Sequence, residues 1–375
     1  MLDPAAIFVL NMRFIFILLL TCLSAVCSSE FKSLNLAFIT DLHIGEGCGG
    51  KLTYEECKPV RTLSDAVEKI NSLESVDGVF VTGDITSSAL REEFEKVREL
   101  LDSLKKPWWP LLGNHDSWPY TRHSDGSFDQ ADYALGDQYF AEVFGDVLQA
   151  RTAAWPGKAC TNQDTQQPSW FHNYEVSFPE FSSSFRVLAL DWVCRSDALP
   201  EPGVGPEAEL HDFPCGTIEW LQKRLGSYPR NTQIFLAQHH PFNFDPTGHN
   251  RLKNFTFDIE QDFRIQEVLG EHFPAESFLG VQAGHIHRWF NGSAFTRWTA
   301  SSREWLRLPQ YETAACKGWW IDEAFVSALQ IFTFTARTDA LGEASGNGVV
   351  LEKVEGLWKL PNGSWATKPI HENKV

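Results

Sequence analysis

The chain of 375 residues is 43% apolar and 22% charged, the balance of a globular protein with enough material for one large domain or two small ones. Its formal net charge of −17 at pH 7, with no basic block anywhere, argues against a nucleic-acid polymer as partner, because an acidic surface repels a phosphate backbone. A small anionic substrate is still admitted, since a local metal charge outweighs a distant acidic field.

At the N-terminus, Met12-Arg13 gives a short basic start, Phe14 to Val26 is a mostly apolar run, and Ala25-Val26-Cys27 offers small residues at a cleavage position. The run is short for a membrane span, so residues 1–27 read as a secretory signal peptide. An uncleaved anchor is the competing reading, and Met12 competes with Met1 as the start. The mature chain, from about Ser28, is expected to be secreted or lumenal (extracellular, vacuolar or lysosomal) with no stable membrane span. Beyond the signal lie Cys48, Cys57, Cys160, Cys194, Cys215 and Cys316, with no C-x-x-C pair among them. Up to three disulfides are expected, and Cys48–Cys57, closing a short loop, is the pairing singled out. Sequons at Asn254, Asn291 and Asn362 suit the same route.

Five apolar runs then end in polar, metal-capable side chains. Leu34 to Thr40 ends in Asp41-Leu42-His43, and Asp77 to Thr82 ends in Gly83-Asp84. Pro107 to Leu112 ends in Gly113-Asn114-His115-Asp116, Gln233 to Gln238 in His239-His240-Pro241, and Ser277 to Ala283 in Gly284-His285-Ile286-His287. Short continuous apolar runs read as buried strands. Between them, Thr62 to Leu73 and Leu90 to Leu104 carry apolar residues at helical spacing; Leu90, Phe94, Val97, Leu100, Leu101 and Leu104 share one face. A further amphipathic helix follows Cys215. Alternating strands and helices imply a largely parallel sheet whose ligands bind at the carboxyl ends of the strands, so the five tips converge. Taken singly, each tip reads as a turn or cap. Taken together, two Asp, one Asn and four His at strand ends outweigh five unrelated turns. His240 reads as a bystander, because Pro241 fixes the loop around it.

The order D-x-H, GD, GNHD, H-x-P, GH-x-H over residues 34–290 resembles that of the calcineurin-like metallophosphoesterases. The resemblance implies an α/β fold, a four-layer αββα sandwich of two mixed sheets flanked by helices, over residues 28–375. Residues 117–184 would form a substrate-mouth insertion, and the segment 290–375 would complete the second sheet, with a hairpin around Pro361-Asn362-Gly363. It also implies two divalent or trivalent metal ions per chain (Mn, Fe or Zn). Asp41, His43 and His287 would hold the first, Asn114, His239 and His285 the second, and Asp84 would bridge them. Carboxylate and amide oxygens with neutral imidazoles suit these ions, and a carboxylate has an oxygen for each of two cations. A metal-bridging hydroxide would attack a small phosphomonoester or phosphodiester. His115 would contact the phosphoryl or leaving oxygen as a catalytic residue, and Asp116 would orient its ring. Purple acid phosphatases place a tyrosine ligand shortly after the Gly-Asp aspartate; Ile85, Thr86, Ser87 and Ser88 stand there instead, so a ferric–tyrosinate enzyme is not expected.

Loops over strand ends form the substrate mouth in such folds. His123 and His172 in the insertion are weaker phosphate candidates, and Arg288 is a possible cation at the rim. Two function classes stand: a secreted hydrolase, and a catalytically silent binding protein on the same fold. Every expected ligand position is filled, which favours the hydrolase.

Overall fold

The computed structural model describes residues 31–372 apart from 118–119, 123–127, 131–135, 154, 162–167, 195–207, 243–256, 258, 288–289, 299–304, 318–326 and 339–343. The expected signal peptide, the Asn254 sequon, His123 and Arg288 lie outside the described residues.

The first three apolar runs form β1 (Phe31–Ile39), β2 (Gly78–Thr82) and β3 (Trp108–Leu111), parallel and adjacent. Helix α1 (Lys58–Ser72) and helix α2 (Arg91–Leu101) are the crossovers between them. A proline in the first turn of α1 removes an N–H that would have no helical partner anyway. Helix α2 stops at Leu101 rather than Leu104, because Ser103 and Leu104 close tight bonds to Leu100 and Leu101, a last turn wound to 3₁₀ pitch.

Helix α3 (Gly136–Arg151) falls in the insertion and buries Phe140 and Phe144. Strands β4 (Tyr174–Phe178), β5 (Ser182–Leu190), β6 (Gln233–Gln238) and β7 (Phe278–Ala283) follow, with α4 (Thr217–Ser227) and α5 (Ile259–His272) between β5 and β7. The chain ends in β8 (Phe290–Trp298), β9 (Trp305–Glu312), β10 (Ser327–Thr338), β11 (Ala344–Lys359) and β12 (Trp365–Glu372).

These strands make two mixed six-stranded sheets, ordered β12-β11-β10-β1-β2-β3 and β8-β9-β7-β6-β5-β4. Two expectations are corrected here. The five motif-bearing strands do not share one sheet: β1, β2 and β3 lie in the first, β6 and β7 in the second. Nor does the segment after Phe290 go to one sheet. Strands β8 and β9 join the second, while β10 returns to the first and runs antiparallel to β1, from Phe31 opposite Arg337 to Phe38 opposite Gln330. The reason is packing: β10 brings Phe332 and Phe334 against Phe235 of the facing sheet, ring centroids 5.3 and 5.1 Å apart. The hairpin at Pro361-Asn362-Gly363 is present between β11 and β12.

Alternation along the strands sorts the layers. On β6, Phe235 and Ala237 join the cluster that holds the first sheet, while Ile234 and Leu236 pack with Leu221 of α4 and Val268 of α5. On β3, Trp109 stacks on Phe80 and meets Phe178 of the second sheet, whereas Trp108 meets Phe144 of α3. The sheets therefore face each other with helices behind. Their carboxyl ends are laced together: beyond the second sheet's strands, Cys316 N–H donates to Thr40 O at 2.9 Å and His285 N–H to Asp41 Oδ2 at 3.1 Å, both acceptors lying at the end of β1. Disulfides join Cys48 to Cys57, as expected, and Cys160 to Cys215.

Candidate metal centre

Backbone strain marks the site independently of any motif. Among the described residues, eight non-glycine residues take a left-handed φ, and five of them are Asp41 (53°), His43 (46°), Asp84 (46°), His285 (71°) and His287 (56°). That conformation costs on the order of 1–3 kcal/mol per residue, and it persists where surrounding structure imposes it. The loops are also pressed close. A Cβ at Gly113 would stand 2.1 Å from the Asp84 nitrogen and 2.4 Å from its Oδ1, so only glycine admits Asn114 and Asp84 side by side.

All seven sequence-predicted ligands come together. Asp41, His43, Asp84 and His287 place ligand atoms within 4.8 Å of one another. His287 Nε2 lies 3.0 Å from Asp41 Oδ1, and His43 Nε2 lies 3.4 Å from Asp84 Oδ2. The other oxygen of Asp84, Oδ1, faces the opposite way and lies 3.3 Å from His239 Nε2. That nitrogen is also 3.0 Å from Asn114 Oδ1, and His285 belongs to the same side. Asp84 thus stands between two groups of donors, one oxygen toward each.

The donor set fits cations. His239 Nδ1–H donates to Thr82 O at 2.9 Å, which aims Nε2 inward, the orientation metal-binding imidazoles take. Two oxygen acceptors converge on that Nε2, so the point between them favours positive charge. Burial alone would lower His239, but Asp84 outweighs it and raises the group to about 9. Burial would likewise raise Asp84, and the His239, His115 and His43 imidazoles instead hold it well below the usual carboxylate range. His43 and His285 are pushed well below the ordinary histidine value, chiefly by burial. Neutral imidazoles are the form that ligates.

His115 sits beside this centre, its ring 4.5 Å from that of His43. Its backbone N–H donates to Asp84 Oδ1 at 2.9 Å, and its Nδ1–H donates to Ser87 O at 2.9 Å. The expectation that Asp116 orients this ring is corrected. The Asp116 carboxylate accepts instead from the N–H groups of Gly113, Ile85 and Thr86 and from the Thr86 hydroxyl, at 2.7–3.0 Å. It is a clamp between the Asp84 and Asn114 loops, and burial together with the Asp84 charge pushes it up to about 7. His172 is also away from any mouth: it is buried against Phe140 and Trp155, its Nε2 2.9 Å from Asp137 O.

Three residues near the site were missed in the sequence. His240 is no simple bystander: it is fully buried, joins His239 and His285 in one donor group, and neither ring nitrogen has a hydrogen-bond partner among the described residues. Burial, with the His239 charge, pushes it down to about 3. The doubled histidine before Pro241 was its only local signal. Lys317, beside the Asp41 loop with its ammonium 2.6 Å from Glu46 Oε2, has none, since residues 316 and 317 reach the site only through tertiary pairing with Thr40 and Asp41. Glu93 lies in the charged first turn of amphipathic α2, where its residue type predicts exposure, yet it is buried with Phe94, Val97 and Leu101.

The sequence model of one family, the calcineurin-like phosphoesterases, matches residues 34–288. A probable glycerophosphodiester phosphodiesterase, GpdQ, of Arcobacter nitrofigilis is 24% identical over 251 residues, 67% of this chain and 70% of that protein. Among solved structures, the purple acid phosphatase PPD1 from yellow lupin (Lupinus luteus) is 12% identical over 90% of this chain, with a TM-score of 0.48; the match covers 53% of the lupin chain, about half its length. The calcineurin-like phosphoesterase YfkN of Bacillus subtilis is 10% identical over 89% of this chain and 93% of its own, with a TM-score of 0.44.

Proposed function

As a member of the calcineurin-like phosphoesterases the chain is a hydrolase of phosphoesters, and we propose that it works through two metal ions held at the joined carboxyl ends of its two sheets. The observation that carries this reading is the divided carboxylate of Asp84, Oδ1 at 3.3 Å from His239 Nε2 and Oδ2 at 3.4 Å from His43 Nε2. Asp41, His43 and His287 hold one ion; Asn114, His239 and His285 hold the other; Asp84 serves both. A bound pair of such ions supplies Lewis acidity and hydroxide near neutral pH.

The protein's own part is positioning and charge. Thr82 O fixes the His239 ring, and the Asp116 clamp fixes the Asn114 turn against Asp84. With Nδ1–H committed to Ser87 O, His115 turns Nε2 to the reacting phosphoryl, where it stabilises developing charge or protonates the leaving oxygen. We read the chain as exported after loss of residues 1–27. Two disulfides and an exposed Asn362 sequon support that route, and among the described residues no helix is long and apolar enough to cross a membrane.

The substrate is a small phosphoester. The bacterial relative's name makes a glycerophosphodiester the first compound to assay, beside bis(p-nitrophenyl) phosphate and p-nitrophenyl phosphate, with Mn²⁺, Fe²⁺ or Zn²⁺ supplied. We expect hydrolysis that a chelator abolishes and added metal restores. Metal-loaded protein inert on the whole panel would point instead to a catalytically silent binding protein.

A further inference from the structure

The first turn of α2 contains a buried carboxyl that ordinary helix design would place in water. The N-cap of α2 is Leu90, which has no side chain to cap with. Glu93 turns back in its place, and its Oε2 accepts the Ser88 N–H at 2.9 Å. On its other side the carboxyl lies against Gly45, two residues past His43. A Cβ there would stand 1.8 Å from Glu93 Oε1, and φ is +107°, so glycine alone fits. Ile44 N–H donates to Ile85 O and Ser87 N–H to Ile44 O, at 3.1 and 2.9 Å. One carboxyl therefore packs two loops together, the one behind Asp41 and His43 and the one behind Asp84.

The Ser88 N–H that Glu93 grips belongs to the same peptide group as the Ser87 carbonyl, and that carbonyl accepts from His115 Nδ1–H at 2.9 Å. A trans peptide is planar, with its C=O and N–H pointing to opposite sides, so fixing one end fixes the direction of the other. We propose that Glu93 is a positioning residue for His115, aiming its imidazole through the rigid Ser87–Ser88 peptide plane. The inference rests on the reading of His115 as the catalytic histidine. Rotation of that plane would move the acceptor and let the ring turn away from the phosphoryl, and misplacement by about 1 Å costs on the order of 10²-fold in rate.

A double-mutant cycle tests this. Glu93→Ala should lower kcat about 10–100-fold with KM little changed and metal content intact, and Glu93→Gln, which keeps an acceptor oxygen, should restore most of it. In a His115→Ala background, Glu93→Ala should cost nothing further, because no ring is left to aim. The same fold-loss in both backgrounds, or unchanged kcat with His115 present, overturns the proposal. If His115→Ala itself keeps full turnover, the catalytic reading fails and the proposal with it, an outcome distinct from the other two. Should Glu93→Ala not fold, Glu93→Asp, one methylene too short to reach Ser88, takes its place in the cycle with the same expected pattern.

Discussion

Strands β2 and β6 each change chemistry within a few residues. Their middles, Phe80 and Phe235, are rings in a dry stack with Phe38, Phe332 and Trp109. Their ends, Asp84 and His239, are buried polar groups facing one another, Asp84 with strained backbone. The middles satisfy every local rule of a sheet core, and the ends break them. What the contrast teaches is a division of labour: apolar area and ring packing hold the ends in a geometry they would not keep alone. Mutations in the two regions should therefore fail in different ways.

The largest effect belongs to the ends. Asp84→Ala should lower turnover about 10³-fold or more, since the two ions each supply several kcal/mol of transition-state stabilisation. A steady-state assay on folded protein, verified by circular dichroism, reads this. His115→Ala comes next, with a loss on the order of 10²–10⁴-fold in kcat while metal content matches wild type. If metal and fold were lost together with activity, His115 would be bracing the loop rather than acting on substrate.

The middle should show the reverse. Phe235→Ala removes a fully buried ring that touches Phe38, Phe332 and Phe334, and we expect about 3–5 kcal/mol of lost stability in denaturant titration. Activity per folded molecule should stay within about a factor of 3 under native conditions, because no ligand loses a contact. A large loss of activity without loss of stability would erase the contrast.

The smallest effect is a pH dependence at the boundary between the regions. Burial pushes Glu93 from its ordinary 4.5 up to about 8, against the pull of the Ser88, Leu90 and Ser87 N–H groups. The unfolded chain releases this proton near 4.5 and the folded chain only near 8, so the folded state binds more protons in that window. Stability from this group therefore falls as pH rises from about 4.5 to about 8 and is level outside it. Glu93→Gln should remove that part of the fall, at most a few kcal/mol, in thermal melts at pH 5 and pH 9 compared with wild type. Parallel curves for the two proteins would contradict it.

What the sequence disclosed follows the same division. Strand tips were legible because their signal is local: an apolar run, then Gly-Asp or Gly-Asn-His-Asp. Helix α2 was legible from its periodicity, with Phe94, Val97 and Leu101 on one face. The partition of strands between two sheets was not, since nothing near Phe332 announces that it pairs beside Leu36, almost the whole chain away. The Asp116 role was hidden for a related reason. Adjacency to His115 suggested a partner, but in a tight turn neighbouring side chains diverge, and Asp116 reaches the backbone of Ile85 and Thr86. Glu93 and Lys317 act across loops, and no spacing rule reports on that.

The central claim is that the ends of two sheets form one centre divided by a single carboxylate. Elemental analysis of wild type and Asp84→Ala, purified side by side and dialysed against trace metal, tests it most directly. The account predicts about two transition-metal ions per wild-type chain and close to none in the variant, because no neighbouring side chain replaces both oxygens of Asp84. Full occupancy in the Asp84→Ala protein, or a single ion in wild type, would contradict it.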